Sequence, residues 1–543
     1  MSRVLRRLFG ITAALTVLAS IVAPSAASAH ALLVTSVPAA SSVLPKSPER
    51  VELTFSEDVE ATLSGIRLFD SAQKEVAIGR THPGTKKNVV LADIPGLQNG
   101  TYVVVWRVTS ADGHPVNGAF PFEIGTVSTG NGAALVDKVA AAVQHTSPLG
   151  SAMSVAKFVA FAGFVLLLGM MMFTWGTQFL GSVRALGAAM LGLVLLLCGS
   201  LGVLLVQGPY VTGGGWSDIA SLSLLQDVIV TRVGLSVLAR LVIALMWLLL
   251  VQILRRQEWN SVTGTLVVIL GVLTALTFPL AGHPAAASLP GIFVTVDMVH
   301  LLAIGTWVGG LFSMALLRKE LEGKEAATGA VRRFSRSASW ALPVVVVTGV
   351  AQGLHLIGGP GAVGDTDYSW TLVAKAALVG FIALLGVRAR RTFAVDAGAS
   401  RRFTDIVRFE ALVALVVLGL SAGLVNSSPV PAAAPVESFT ARLVQRSIIA
   451  EVTVTPPKVG TAEIHLLFTP PGGTLAPVKD VKVRMTLQAR DVPAIPVEMV
   501  QIGANHWSGV MQIPYAGDWA LEVLVSPQPN TELRYATTVP VKD

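Results

Sequence analysis

Residues 291–316 read GIFVTVDMVHLLAIGTWVGGLFSMAL, an apolar run interrupted by Asp297 and His300. An α-helix needs about 20 apolar residues to cross the hydrocarbon core of a bilayer, so this run is long enough to span a membrane. Ionisable side chains within a span are costly and usually serve a function. The stretch therefore predicts a membrane helix that carries a functional polar pair.

Comparable runs fill the chain between residues 151 and 425. Of the 543 residues, 52% are hydrophobic and only 13% are charged, which is too apolar for a soluble multidomain protein. We predict a bundle of eight transmembrane helices, of which the seventh is the shortest. Their centres lie in residues 153–175, 183–206, 233–254, 262–281, 291–316, 338–357, 372–387 and 406–425.

The loops between the runs predict the orientation of the bundle. Arg and Lys concentrate in residues 255–260, 318–336 and 388–403, whereas the loops at 208–231, 282–290 and 358–370 contain neither. By the positive-inside rule the basic loops are cytoplasmic, and an even number of spans then places both ends outside. The net charge of +7 thus reflects topology, and we expect no nucleic acid partner.

The first 29 residues have the pattern of a signal peptide. Arg3, Arg6 and Arg7 precede an apolar run, and Ala27 and Ala29 give A-x-A spacing. Cleavage after Ala29 would leave the next residue, a histidine, at the amino terminus, where its α-amine and ring Nδ1 can chelate one metal ion. The alternative is that this histidine follows the cleavage site by chance.

The remaining regions are soluble in pattern. Residues 30–126 contain short runs such as RVELTFS and TYVVVWRVTS, separated by Gly, Pro and Asn, which predict a β-sandwich. Residues 127–150 form a tether and residues 426–439 a linker. Residues 440–543 again alternate in short runs and predict a second extracytoplasmic β-sandwich. The expected fold is therefore a β-sandwich, an eight-helix bundle and a second β-sandwich.

Candidate metal ligands lie in the segment WRVTSADGHPV. Asp112 and His114 share one face if the chain is extended, or converge at the mouth of a tight turn. Together with an amino-terminal His30 they supply nitrogen and oxygen donors that suit tetragonal Cu(II), and Glu57 is a candidate fourth ligand. A lone cysteine, Cys198, excludes a thiolate cluster, and the absence of Met between residues 30 and 152 excludes a thioether site there.

These features resemble known copper proteins. Residues 30–125 are similar to the CopC family of periplasmic Cu(II)-binding domains, in the leader, the first histidine and the D-x-H motif. The resemblance implies that His30, Asp112 and His114 bind copper, with Glu57 as a candidate fourth ligand. Residues 281–312 resemble CopD in the order of G-H, D-x-x-H and W-x-G-G, and the tail, with YAGDWALEVLV, is similar to YtkA-like domains.

Four polar residues of the span region form a candidate membrane path for copper. On the predicted topology His283, Asp297, His300 and His355 all lie toward the outer face, the side of the CopC-like domain. Asp297 and His300 are three residues apart and share a helix face. The alternative is structural, with Asp297 paired to Arg240 or Lys375 and His300 bonded to a backbone carbonyl.

We therefore expect a multi-pass cell-membrane protein that captures extracytoplasmic Cu(II) and passes it inward. Its expected partners are copper ions, the lipid bilayer and a candidate extracytoplasmic copper chaperone. No D-K-T-G phosphorylation motif occurs, and we expect no enzymatic activity. Two rival functions use the same residues, namely haem electron transfer through His283, His300 and His355, and oxidative chemistry at a copper-bound histidine brace.

Overall fold

The computed structural model describes most of the chain outside the leader and the two connecting segments. The predicted signal peptide and His30 lie outside the described residues. The described residues are 31, 33–40, 42–125, 135, 136, 138, 139, 149–175, 182–256, 259–287, 289–321, 325–357, 363, 366–395, 401–425, 439–445, 448–469, 478, 480–503, 505–528 and 531–542.

The N-terminal domain consists of two facing sheets. Its strands are β1 (Leu33–Val37), β2 (Val43–Leu44), β3 (Arg50–Phe55), β4 (Val59–Asp70), β5 (Glu75–Val76), β6 (His82–Pro83), β7 (Val89–Asp93), β8 (Gly100–Ser110) and β9 (Pro115–Ile124). The sheet orders are β1-β3-β7-β6 and β2-β9-β8-β4-β5. Alternate residues of β3 point inward, as the two-residue period of a strand requires, and they pack with Trp106 and Phe122 of the other sheet. The predicted β-sandwich is confirmed.

Eight long apolar helices follow among the described residues, as the sequence predicts. They are α1 (Gly150–Thr174), α2 (Val183–Thr212), α3 (Arg232–Arg256), α4 (Ser261–Leu276), α5 (Pro290–Leu316), α6 (Glu325–Ile357), α7 (Asp367–Val395) and α8 (Arg401–Leu424). α5 packs against α1, α6 and α8 and therefore occupies a central place in the bundle.

Helix α7 is longer than its apolar run. The hydropathy pattern covers only residues 372–387, but the helix continues beyond that run in both directions. About half of its apolar side chains are exposed, including Leu384 at 70%, as expected for a helix that faces lipid. Polar residues near its ends shorten the apolar run without ending the backbone hydrogen bonding of the helix.

Helices α1 and α5 approach closely because glycines face each other where they cross. A Cβ atom built on Gly169 would lie 2.2 Å from the Gly309 backbone, and one on Gly309 would lie 2.1 Å from the Val165 carbonyl oxygen. Only glycine permits this contact, which is the usual role of small residues at helix interfaces in membranes.

The C-terminal region is all-β. Its strands are β10 (Phe439–Gln445), β11 (Ile448–Thr455), β12 (Gly460–Thr469), β13 (Asp480–Leu487), β14 (Val492–Val497), β15 (Met499–Gly503), β16 (His506–Ile513), β17 (Gly517–Gln528) and β18 (Thr531–Val541). They form two antiparallel sheets, β10-β11-β12-β16-β15 and β14-β13-β17-β18, around a core that includes Phe468, Trp519 and Tyr535.

Candidate metal centre between the N-terminal domain and the membrane helices

The hairpin between β8 and β9 carries Asp112 and His114. Gly113 has a φ of +85°, a conformation that favours glycine, and its amide donates to the Ser110 carbonyl over 2.9 Å. The His114 amide donates to Asp112 Oδ1 over 3.0 Å. Of the two geometries that the sequence allowed, the segment adopts the tight turn, and His114 Nδ1 lies 3.2 Å from Asp112 Oδ1.

A histidine of the membrane domain completes this cluster. After α4 the chain makes a short 3₁₀ turn, Pro279–Ala281, and His283 begins the four-residue helix His283–Ala286. His283 Nδ1 lies 2.6 Å from Asp112 Oδ2, and the His114 and His283 rings stack with centroids 4.8 Å apart and planes 9° apart. The sequence placed His283 on a membrane path and Asp112 in a separate domain, whereas the structure joins them.

The N-terminal domain docks onto the end of α2. That helix ends at Gly213, whose positive φ stops the helix and leaves the last carbonyls without partners in the helix. Arg107 of β8 donates to two of them, from Nε to Val211 O over 2.6 Å and from Nη2 to Tyr210 O over 3.1 Å. A cation is favourable at this end of the helix dipole.

The turn itself also contacts the bundle. Gln207 of α2 donates from Nε2 to the Gly113 carbonyl over 2.9 Å. A Cβ atom on Gly113 would lie 2.7 Å from Val233 Cγ2 of α3, so only glycine fits the turn against this helix. The closeness of the turn to α2 and α3 brings Asp112 within reach of His283.

The hydrogen bond made by the His114 ring determines which ring nitrogen carries the hydrogen and which keeps a lone pair. Nε2 lies 2.8 Å from the carbonyl oxygen of Val425, which can only accept, so Nε2 carries the hydrogen. In the neutral ring Nδ1 then presents its lone pair to the carboxylate. The Nδ1 lone pair of His114 and the Oδ1 atom of Asp112 lie 3.2 Å apart, so both can bind the same cation.

Burial and charge at this site act in opposite directions. Asp112 is 2% exposed and His114 is 6% exposed. Burial alone would raise the pKa of the Asp112 carboxyl, but the neighbouring His114 and His283 hold it well below its usual range. Burial lowers the pKa of His114 below its usual value, although Asp112 opposes the shift. The cluster therefore offers a carboxylate and a neutral imidazole, which are the protonation states that bind metal.

The three side chains fit a metal ion. One donor atom each from Asp112, His114 and His283 can be chosen so that all lie within 4.8 Å of one another. Two imidazoles and a carboxylate are the nitrogen and oxygen donors that suit Cu(II). The structure thus brings together two of the predicted ligands of the soluble domain and one residue of the predicted membrane path.

Glu57 lies next to this cluster. Burial and the negative charges of Asp112 and Asp58 raise the pKa of its carboxyl to about 8. A cation bound beside Asp112 would offset its negative charge and favour the ionised form of the Glu57 carboxyl. This placement fits the candidate fourth ligand, while the ligand role itself stays a prediction.

The other three path residues line a cavity of about 200 Å³ together with His283. His300 is buried in α5, and its Nδ1 lies 2.7 Å from Thr348 Oγ1. The Thr348 hydroxyl donates to the Val344 carbonyl over 2.5 Å, so it accepts from His300 Nδ1–H, and Nε2 keeps its lone pair. His355 instead stacks on Phe293, with centroids 3.9 Å apart.

Of the two pairings expected for Asp297 in the structural alternative, the structure supports the one with Lys375 and not the one with Arg240. Asp297 and Lys375 attract each other electrostatically. Arg240 instead donates to the Thr277 side chain and carbonyl over 2.8 and 2.9 Å and lies 3.7 Å above the Phe278 ring. His300 bonds to a threonine hydroxyl through Nδ1 and also interacts with the Val345 backbone, so the structural alternative for His300 has support as well.

Sequence reasoning missed two basic residues of the site. Lys157 of α1 attracts Asp112 and lines a cavity of about 60 Å³ beside Asp112, His114 and His283. A charged residue inside an apolar run was a detectable signal, the same one that identified Asp297. Arg107 had no such signal, because its role depends on where α2 ends.

Comparison with known families identifies the separate parts of the chain. Residues 33–125 match the family model of the CopC domain, residues 146–292 that of the copper resistance protein D-like N-terminal domain, and residues 328–424 that of copper resistance protein D. Over nearly the full length the chain is similar to the copper transport protein CutJ of Bacillus subtilis, with 26% identity covering 84% of this chain and 85% of that protein.

Other relatives match single parts. Copper resistance protein C of Escherichia coli is 34% identical over 18% of this chain and 83% of its own length. The inner membrane protein YebZ of Escherichia coli is 27% identical over 43% of this chain and 81% of its own length. The crystal structure of CopC from Methylosinus trichosporium OB3b has 36% identity and a TM-score of 0.17, covering 18% of this chain and 98% of that one.

The family models and the sequence relatives favour copper handling over the haem and oxygenase alternatives. The resemblance of the C-terminal region to YtkA-like domains stays a prediction. The chain thus joins a CopC domain and a copper resistance protein D membrane domain in one polypeptide, and it is similar along most of its length to a copper transport protein.

Proposed function

We propose that this protein imports copper by passing Cu(II) from the N-terminal domain directly to the membrane helices. The observation that carries this proposal is the position of Asp112 between His114 of its own domain and His283 of the membrane domain. An ion held by Asp112 and His114 needs only a change of ligands to reach His283, with no movement of either domain.

The amino-terminal histidine belongs to the capture site in this proposal. After removal of the signal peptide, the α-amine and ring of His30 join Asp112 and His114 around Cu(II), with Glu57 nearby. The next residue, Ala31, is fully buried in the core of the N-terminal domain, which ties the start of the mature chain to this domain. The ligands must be deprotonated, so protons compete with copper.

His283 then delivers the ion to Asp297 and His300. The three residues line the same cavity, and a bond donated from His300 Nδ1–H to Thr348 leaves Nε2 available as a ligand. Metal-binding histidines commonly donate their other N–H to a fixed acceptor, which orients the ring. The basic loops at the opposite end of the bundle support an orientation with both soluble domains outside the cytoplasm.

Copper accumulation in cells that express the chain tests this function. We expect cells with the wild type to accumulate more copper than cells without the chain. His300→Ala should remove most of this gain, measured per amount of folded membrane protein, while Cu(II) binding by the N-terminal domain persists. His82→Ala is the matched control, because His82 is an exposed histidine of that domain. Unchanged accumulation per molecule in His300→Ala would leave the membrane path without support.

Reporter fusions test the orientation separately. Fusions after Arg256, Gly329 and Ala397 should report the cytoplasm, and fusions after Gly214 and Gly361 should report the outside. A cytoplasmic signal after Gly214 would contradict the proposed orientation and with it the direction of transport.

A further inference from the structure

A buried carboxylate lies deep in the bundle, far from the copper-capture site. Glu410 of α8 is 2% exposed, and its Oε1 is buried without a hydrogen bond to any described residue. Val425, whose carbonyl meets His114, follows fifteen residues later, which is about 22 Å along a helix. An ionisable group at such a place is expensive to keep and indicates a function.

Glu410 faces a cavity of about 390 Å³ near the end of the bundle opposite the N-terminal domain. Trp307 and Met314 of α5 line the same cavity, and Met314 is 3% exposed. A carboxylate and a thioether together offer donors for both oxidation states of copper, since hard oxygen ligands suit Cu(II) and soft sulfur ligands suit Cu(I).

A series of neighbouring cavities, each sharing a lining residue with the next, lies between this place and the capture site. The cavity beside Asp112 shares His283 with the cavity of Asp297. That cavity shares His300 with a third one of about 360 Å³, which in turn shares Trp307 with the cavity of Glu410. The series crosses the bundle from the N-terminal domain toward the basic loops and contains an ionisable group near each end.

Two arginines also face the Glu410 cavity. Arg332 and Arg390 are both exposed, and Arg390 donates to the Ser335 carbonyl over 3.1 Å while attracting Glu410 from a distance. Positive charge at the opening of this cavity weakens the binding of a cation inside it. That is suitable for a release site, which must bind an ion well enough to receive it and weakly enough to let it leave.

We propose that Glu410 is the inner binding station from which copper leaves the bundle on the cytoplasmic side. This inference rests on the proposed import function and adds its last step. The competing explanation is structural, in which Glu410 only balances the charge of Arg390.

Copper uptake into lipid vesicles that contain the full chain, with the N-terminal domain outside, distinguishes these explanations. Glu410→Gln keeps the shape of the side chain and removes its charge. We expect its uptake rate per folded protein to fall at least tenfold, with unchanged Cu(II) binding at the outer site. Asp405→Asn is the matched control, because Asp405 is an exposed carboxylate on the same helix outside this cavity.

Further measurements distinguish a failure of the inner station from a failure of the import function. Arg390→Met should leave the amount of folded protein unchanged, whereas the structural explanation predicts that it lowers that amount as much as Glu410→Gln does. Wild-type uptake per folded protein in Glu410→Gln would overturn the inner station and leave the import function standing. No copper uptake by the wild type would overturn the import function itself.

Discussion

Asp112 Oδ2 and His283 Nδ1 lie 2.6 Å apart across the boundary between the N-terminal domain and the membrane helices. A copper-binding domain that merely stored its ion would not need a membrane residue in contact with a ligand. The contact depends on how the β8–β9 turn is docked, so the docking residues give the first tests.

Gly113 should be intolerant of any side chain. In Gly113→Ala the new Cβ meets Val233 Cγ2 at 2.7 Å and the positive φ becomes strained by about 1–3 kcal/mol. We expect faster hydrogen exchange of residues 110–116 and slower copper uptake. Adding Val233→Ala removes the clashing methyl groups and should recover part of the loss. A double variant no better than Gly113→Ala would show that contact with α3 is irrelevant.

Arg107 should hold the domain on α2. Arg107→Met loses two hydrogen bonds to backbone carbonyls and should weaken docking by about 1–3 kcal/mol, seen as faster hydrogen exchange in the last turn of α2. Arg67→Met on β4 is the matched control, because Arg67 pairs with Glu75 at the surface. Equal exchange in the two variants would contradict a docking role for Arg107.

Thr348 should position His300. Thr348→Val keeps the size of the side chain but removes the acceptor for His300 Nδ1–H, and we expect copper uptake to fall about 10–100-fold. Thr348→Ser should retain uptake. Thr306→Val on α5 is a matched control, since the Thr306 hydroxyl bonds only to the Leu302 carbonyl among the described residues. Normal uptake in Thr348→Val would remove the argument that the tautomer of His300 matters.

The capture site should lose Cu(II) as pH falls. An α-amine ordinarily has a pKa of about 8, so protons compete first for an amino-terminal amine. Burial lowers the pKa of His114 and keeps that ring available at lower pH. Chelator competition on the full chain should therefore show affinity falling from about pH 8 downward. One extra residue before His30 should weaken binding strongly. Equal affinity of the extended and the cleaved chain would contradict the amino-terminal ligand.

The sequence predicted much of the fold because its signals are local. Eight apolar runs and alternating strands depend on neighbouring residues only, and they identified the helices and both β-regions. The clearest exceptions were α6 and α7, which continue beyond their apolar runs. The closeness of Asp112 and His114 was predictable for the same reason, since a single glycine separates them in a turn.

The shared site was not predictable from local pattern. His283 and Asp112 are far apart in sequence, and their contact depends on where α2 ends and how Arg107 docks there. Glu410 was detectable as a charge inside a span, but its cavity arises from four helices that only the folded bundle brings together. In both cases the missing information was long-range packing.

The most direct test of the transfer from Asp112 to His283 follows a single loaded ion. One equivalent of Cu(II) is bound to the full chain in vesicles with the N-terminal domain outside, and the copper remaining on the protein and the copper inside are measured over time. In the wild type we expect the ion to leave the capture site and reach the vesicle interior. In His283→Ala it should stay on the N-terminal domain, with transfer at least tenfold slower. Transfer at the wild-type rate in His283→Ala would contradict the account.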